Sequence, residues 1–126
     1  MLIGTDLCDP KRIEKIYLKF GAKFLKRILS VEEIDQINST DSNLSFFQRV
    51  AGRYAAKEAI AKAFGTGIGK QLSFQDIEIL RDKISGAPLV KSSEKLAVLI
   101  KQNGLSTIKV SISHEKLMAI AMVLVY

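Results

Sequence analysis

Residues 46–69 read FFQRVAGRYAAKEAIAKAFGTGIG, and this stretch, from Phe46 to Gly69, decides the fold. Alanine is the strongest helix former, and it stands at 51, 55, 56, 59, 61 and 63. The pattern predicts one long helix that ends in the turn Gly65-Thr66-Gly67-Ile68-Gly69. A helix so rich in alanine is slim, so other backbone or a ligand can come close. Glu58 and Lys62 are four apart and share a face, while Arg49, Arg53 and Lys57 form a second, basic line. The glycine turn offers backbone amides that no bulky side chain shields.

Working outward, residues 2–7 read as a short strand ending near Asp6. Asp9-Pro10 is a helix start, with Asp9 as N-cap and Pro10 in the first turn. Ile13, Ile16, Leu18 and Phe20 give this helix an apolar face, and Gly21 stops it. A second helical piece covers Ala22 to Leu29, and Ser30-Val31-Glu32-Glu33 is a capping box for a third. Residues 38–45 form a polar loop before the long helix.

Phe74 to Leu80 alternates as a half-buried strand, and Leu89-Val90 follow a turn as another. Ser92 or Ser93 caps a helix closed by Asn103-Gly104. Thr107 to Ser113 and the apolar Met118 to Tyr126 form a closing antiparallel hairpin, the last strand central or covered on both faces. The order of these elements predicts an α+β fold with a largely antiparallel sheet packed against the long central helix.

The length of 126 residues fits one domain over 1–126. No apolar run approaches the roughly 18 residues of a membrane helix. The start, MLIGTDLCDP, lacks a basic n-region and does not resemble a secretory leader. The single cysteine, Cys8, excludes an internal disulfide framework and a multi-cysteine zinc site. A cytoplasmic protein without a membrane anchor is the expectation. The net charge of +6 is unevenly spread: Lys11, Arg12, Lys15, Lys19, Lys23, Lys26 and Arg27 are opposed only by Glu14 between Pro10 and Leu29. That segment calls for an acidic partner or is a solvated face.

Known phosphate motifs fail on context. A P-loop and the dinucleotide fingerprint both precede a helix, whereas Gly65–Gly69 follow one, and Lys70 is followed by Gln71. Taken singly, the glycines read as a helix cap and Glu58–Lys62 as an ion pair of about 0.3–0.5 kcal/mol. Asp6 reads as a strand end, His114 as a turn histidine and Cys8 as a small buried thiol. A Cys8–His114 nucleophile pair lacks an orienting third group.

In combination the motifs are more specific. The chain has Ile3-Gly4-Thr5-Asp6-Leu7, Lys11-Arg12-Ile13 and Lys26-Arg27-Ile28-Leu29. It continues with Ala51-Gly52-Arg53-Tyr54-Ala55-Ala56-Lys57-Glu58-Ala59, Lys62-Ala63-Phe64-Gly65-Thr66-Gly67-Ile68-Gly69, Leu72 to Ile79, and Val110-Ser111-Ile112-Ser113-His114. In this order and over nearly its whole length, the chain resembles the holo-acyl-carrier-protein synthases, the small bacterial 4′-phosphopantetheinyl transferases. It departs at Gly86-Ala87-Pro88, where the family has Gly-Lys-Pro, so a lysine contact is missing at Ala87.

The resemblance implies transfer of the phosphopantetheine arm of coenzyme A onto a serine of acyl carrier protein, a step serving fatty acid biosynthesis, with release of adenosine 3′,5′-bisphosphate. It implies Mg2+ held by Asp6 and Glu58, with Lys62 on the phosphates. Glu58 or a water on the metal would accept the serine's proton, and both stay open at this stage. Arg53, Lys62, Gly65, Thr66, Gly67, Ser111 and His114 match positions that touch the coenzyme, with the 3′-phosphate a candidate for His114. Arg12, Lys23, Lys26 and Arg27 become candidates to dock the acidic carrier. Family members of this length are homotrimers with active sites between subunits. The alternatives are a basic nucleic-acid-binding module, which lacks interleaved aromatics, and an inactive subunit that keeps the fold.

Overall fold

The computed structural model describes residues 1–39 and 43–126. Strand β1 (Leu2–Cys8) leads into helices α1 (Pro10–Phe20), α2 (Ala22–Ile28) and α3 (Val31–Asn38). The long helix α4 (Asn43–Ala63) is followed by the hairpin β2 (Ile77–Arg81) and β3 (Pro88–Ser92), helix α5 (Glu94–Gln102), and the hairpin β4 (Ile108–His114) and β5 (Ala119–Val125). Part of the polar loop expected over 38–45 lies outside the described residues, and α4 begins three residues earlier than expected.

The caps form as their residues dictate. Asp9 accepts a bond from Lys11 N at 2.9 Å, with Pro10 in the first turn. Ser30 and Glu33 close a reciprocal capping box at 3.1 and 2.9 Å. Asp76 bonds both the backbone and the hydroxyl of Ser73, at 2.8 and 2.9 Å. That box holds Phe74–Asp76 in one 3-10 turn, so β2 starts at Ile77 and not at Phe74.

Two antiparallel sheets result, a three-stranded one in the order β1-β5-β4 and the β2-β3 ribbon. Helix α4 lies across the larger sheet. Its alanines at 51, 55, 56, 59 and 61 are fully buried, so their smallness admits backbone. The tightest approach is Gly4, where a Cβ would lie 2.0 Å from the carbonyl oxygen of Ala59.

The last strand departs from expectation. β5 is central, but only one of its faces is covered within the chain. Ala119, Ala121, Val123 and Val125 are fully buried under α4, while Ile120 and Met122 are 45 % and 49 % exposed. Ile3 and Leu7 of β1 extend this apolar, uncovered face. α1 also differs: Ile13 is its buried anchor, whereas Leu18 and Phe20 point outward.

Candidate active site

Asp6 stands on β1 and Glu58 and Lys62 on α4, and the crossing of the two elements brings all three together. The expected i,i+4 pair is not the one formed. Lys62 Nζ donates instead to Asp6 Oδ1 at 2.7 Å and to Thr5 O at 3.3 Å. The bond to Asp6 raises the lysine's pKa. Burial pushes the Glu58 carboxyl up, the charge of Asp6 adds to this, and Lys62 and Arg12 pull it back. Two carboxylates thus share a neighbourhood with Lys62 and Arg12, and of the two only Asp6 is ion-paired among the described residues.

The donor set fits a hard cation that keeps water. Among the described residues no group of three or more His, Cys, Asp or Glu could hold a metal. Magnesium needs only one or two carboxylates when phosphate oxygens and waters complete its shell. Asp6 and Glu58 match that demand. Cys8 is buried beside them, and burial lifts its thiol to about 11; a hard cation takes oxygen rather than sulfur ligands.

The expected basic line breaks up. Lys57 is fully buried, and its Nζ donates to Glu33 Oε1 at 2.7 Å, Ile28 O at 2.6 Å and Phe74 O at 3.0 Å. Glu33 Oε2 accepts from Ile79 N at 3.0 Å. This pair bolts α4 to α3 and β2. The capping box pointed to Glu33, but no local spacing announced its partner 24 residues on.

Arg53 is also mostly buried, with Nε on Ile79 O at 3.0 Å and Nη2 on Gln36 Oε1 at 3.2 Å. It still lines a cavity of about 360 Å3 shared with Arg49, Gly52, Arg81, Gly86 and His114. Three guanidinium groups and an imidazole facing one cavity favour an anion. Arg81 was not legible as a site residue. It sits at the strand end against Gly86, where a Cβ would lie 3.2 Å from its Nη2.

This cavity and the Asp6 cluster lie on different flanks of α4. At about 100° per residue, Glu58 and Lys62 are roughly half a turn around the helix from Arg49, Gly52 and Arg53. Ser111 is separated again. It is exposed on the uncovered face of the sheet, paired with Met122, whereas Ile112 faces the cavity.

The glycine turn is corrected in one respect. The amides of Gly65, Thr66 and Gly67 donate back to Lys62 O and Ala61 O at 3.0–3.3 Å, so they close the helix. Gly65 and Gly67 have φ of 71° and 61°, and nothing lies within 4 Å of a Cβ at either. Both glycines serve backbone conformation within the chain. Arg12, Lys23, Lys26 and Arg27 are exposed on α1 and α2, but Arg12 also lies 5.8 Å over the Tyr54 ring.

Known proteins resemble this chain in sequence and in fold. A model of the 4′-phosphopantetheinyl transferase superfamily matches residues 2–118. The holo-[acyl-carrier-protein] synthase of Ruminiclostridium cellulolyticum is 40 % identical over 121 residues, covering 96 % of this chain and 88 % of that protein. The crystal structure of the Neisseria meningitidis holo-[acyl-carrier-protein] synthase is similar with TM-score 0.87 at 36 % identity, over 100 % of this chain and 99 % of that one. The Helicobacter pylori holo-[acyl-carrier-protein] synthase, solved in complex with coenzyme A, gives TM-score 0.84 at 38 % identity, over 99 % and 100 %. Over nearly its whole length, the chain belongs to the 4′-phosphopantetheinyl transferase superfamily.

Proposed function

We propose that this protein transfers the 4′-phosphopantetheine group of coenzyme A to a serine of apo-acyl carrier protein, releasing adenosine 3′,5′-bisphosphate. The observation that carries it is the cluster of Asp6, Glu58 and Lys62 in a chain of this superfamily. The serine hydroxyl attacks a pyrophosphate phosphorus, so negative charge must be neutralised and one proton removed. Bound at Asp6 and Glu58, Mg2+ would supply charge neutralisation at the pyrophosphate. Lys62 is half exposed and long, so it can leave Asp6 for a phosphate oxygen. Glu58, the carboxylate that Lys62 does not engage, accepts the serine proton.

Arg53 and His114, joined by Arg49 and Arg81, receive the nucleotide phosphates in their cavity. Gly65, Thr66 and Gly67 touch the coenzyme through carbonyls and the Thr66 side chain, their amides being occupied. Ser111 meets the coenzyme of a neighbouring copy. The active form is a homotrimer with its sites between subunits, a reading supported by two features. The uncovered sheet face carries Ile3, Leu7, Ile120 and Met122, and the two clusters flank α4 on different sides. Arg12, Lys23, Lys26 and Arg27 dock the acidic carrier, next to the exposed Leu18 and Phe20. No helix is long and apolar enough to cross a membrane among the described residues; work in the cytoplasm is part of the proposal.

The test is mass spectrometry of apo-acyl carrier protein incubated with coenzyme A, Mg2+ and this protein. One added phosphopantetheine is expected on the carrier, and its absence would sink the reading. In the same assay Glu58→Ala abolishes transfer while the protein stays folded and oligomeric.

A further inference from the structure

Arg12 is the one docking candidate with a fixed seat. Its guanidinium carbon lies 5.8 Å from the centroid of the Tyr54 ring. The Tyr54 ring packs in turn on Phe74, centroid to centroid 5.2 Å and tilted by 33°. Phe74 does not float: its carbonyl accepts from the buried Lys57 at 3.0 Å, and the Ser73–Asp76 box fixes its turn. A three-layer stack therefore runs from the buried ion pair to the surface.

The stack ends beside the reaction centre. Tyr54 precedes Glu58 by one helical turn, so both occupy the same flank of α4. The charge of Arg12 is felt by Glu58 and by Cys8. Yet no described carboxylate lies within ion-pair distance of Arg12. An unrestrained arginine that feels the charge of Glu58 would ordinarily fold onto it. The ring face holds the cation by its π-system and leaves the N–H fork unspent for a planar anionic group.

We propose that Tyr54, backed by Phe74, is a positioning residue that holds Arg12 away from Glu58 and aims its fork at a carboxylate of the incoming carrier. The idea rests on the proposed function, in which Arg12 docks the carrier. It assigns Tyr54 a role through Arg12, not through contact with substrate. The ring is what matters, so Phe serves at this position and an aliphatic side chain does not. Planarity matters equally at 12, so Lys does not replace Arg.

The experiment is steady-state kinetics with the intact protein, varying apo-acyl carrier protein and coenzyme A separately. Tyr54→Leu is expected to raise KM for the carrier about threefold, the factor an exposed cation–π contact supports, with kcat and KM for coenzyme A within about twofold. Tyr54→Phe stays at the wild-type value, and Arg12→Lys matches Tyr54→Leu. Combined with Arg12→Ala, Tyr54→Leu adds nothing further. An additive loss in that double variant, equal rises in both KM values, or a wild-type KM for Arg12→Lys would each overturn the proposal. Arg12→Lys changes only a surface group, so it decides the matter even if Tyr54→Leu folds poorly. An activity-independent arm uses 15N relaxation of the Arg12 Nε–H. Its order parameter falls in Tyr54→Leu and not in Tyr54→Phe; an unchanged value refutes the seat. Absence of transfer by the wild-type protein would instead refute the proposed function, leaving the relaxation result to stand alone.

Discussion

Replacing Lys57 with methionine should unfold this protein more readily than any surface change. The perturbation removes one charge from a pair in which both side chains are fully buried, 2.7 Å apart. Glu33 would keep Ser30 N and Ile79 N as donors, at 2.9 and 3.0 Å, but lose its one ion-pair partner among the described residues. The carbonyls of Ile28 and Phe74 would lose a donor as well. Breaking a buried pair from one side costs about 3–5 kcal/mol. For a chain of this size, that lowers the thermal midpoint by about 10–20 °C. Urea unfolding followed by circular dichroism, at one fixed protomer concentration, measures the loss. Lys57→Met with Glu33→Gln removes both charges, so its loss should fall short of the summed single losses by about 2 kcal/mol. A single-variant loss below about 1 kcal/mol, or strict additivity, would refute the reasoning.

Three further outcomes follow from the geometry. Gly4→Ala forces a Cβ to within 2.0 Å of Ala59 O, so β1 and α4 must part, at about 3 kcal/mol or more by urea unfolding; unchanged stability would disprove the close crossing. Gly65→Ala strains a backbone with φ of 71° and should cost about 1 kcal/mol, with Gly65→Asn recovering part of it. A neutral Ala variant would show that the turn does not need its left-handed residue. Cys8 has its thiol raised from 9.0 to about 11, so the folded state resists ionisation. Its stabilising effect is complete below pH 9 and is lost as pH rises toward 11, because the unfolded thiol ionises first. Thermal midpoints over that range should fall less steeply in Cys8→Ala, and parallel curves would contradict the shift.

Local chemistry made much of this legible. Asp9-Pro10, Ser30 with Glu33, Ser93 and Asn103-Gly104 each mark a helix boundary through bonds only a few residues long. The alanine pattern and Gly65 likewise delimit α4. Asp6, Glu58 and Lys62 could be named because their motifs are specific, but not how they pair: the Lys62 bond to Asp6 spans 56 residues. Lys57 looked like a member of a basic line because helical spacing does not report which flank is buried when nearly all are. The one-sided cover of β5 was hidden for a related reason. An apolar strand reads the same whether its second face meets its own chain or waits for another.

The two clusters on α4 are joined by a rigid rod, and this limits how such a chain can change length. A single residue inserted between Arg53 and Glu58 would advance Glu58 and Lys62 by about 1.5 Å and swing them about 100° around the axis. Asp6, fixed on β1 by its pairing with Ala121, would not follow. The cavity with Arg49 and His114 would then face one way and the carboxylates another. An insertion between positions 49 and 62 is therefore expected to cost far more than one at the tip of the β2–β3 turn, where Ile84 is 99 % exposed. The helix works as a ruler whose graduations are single residues.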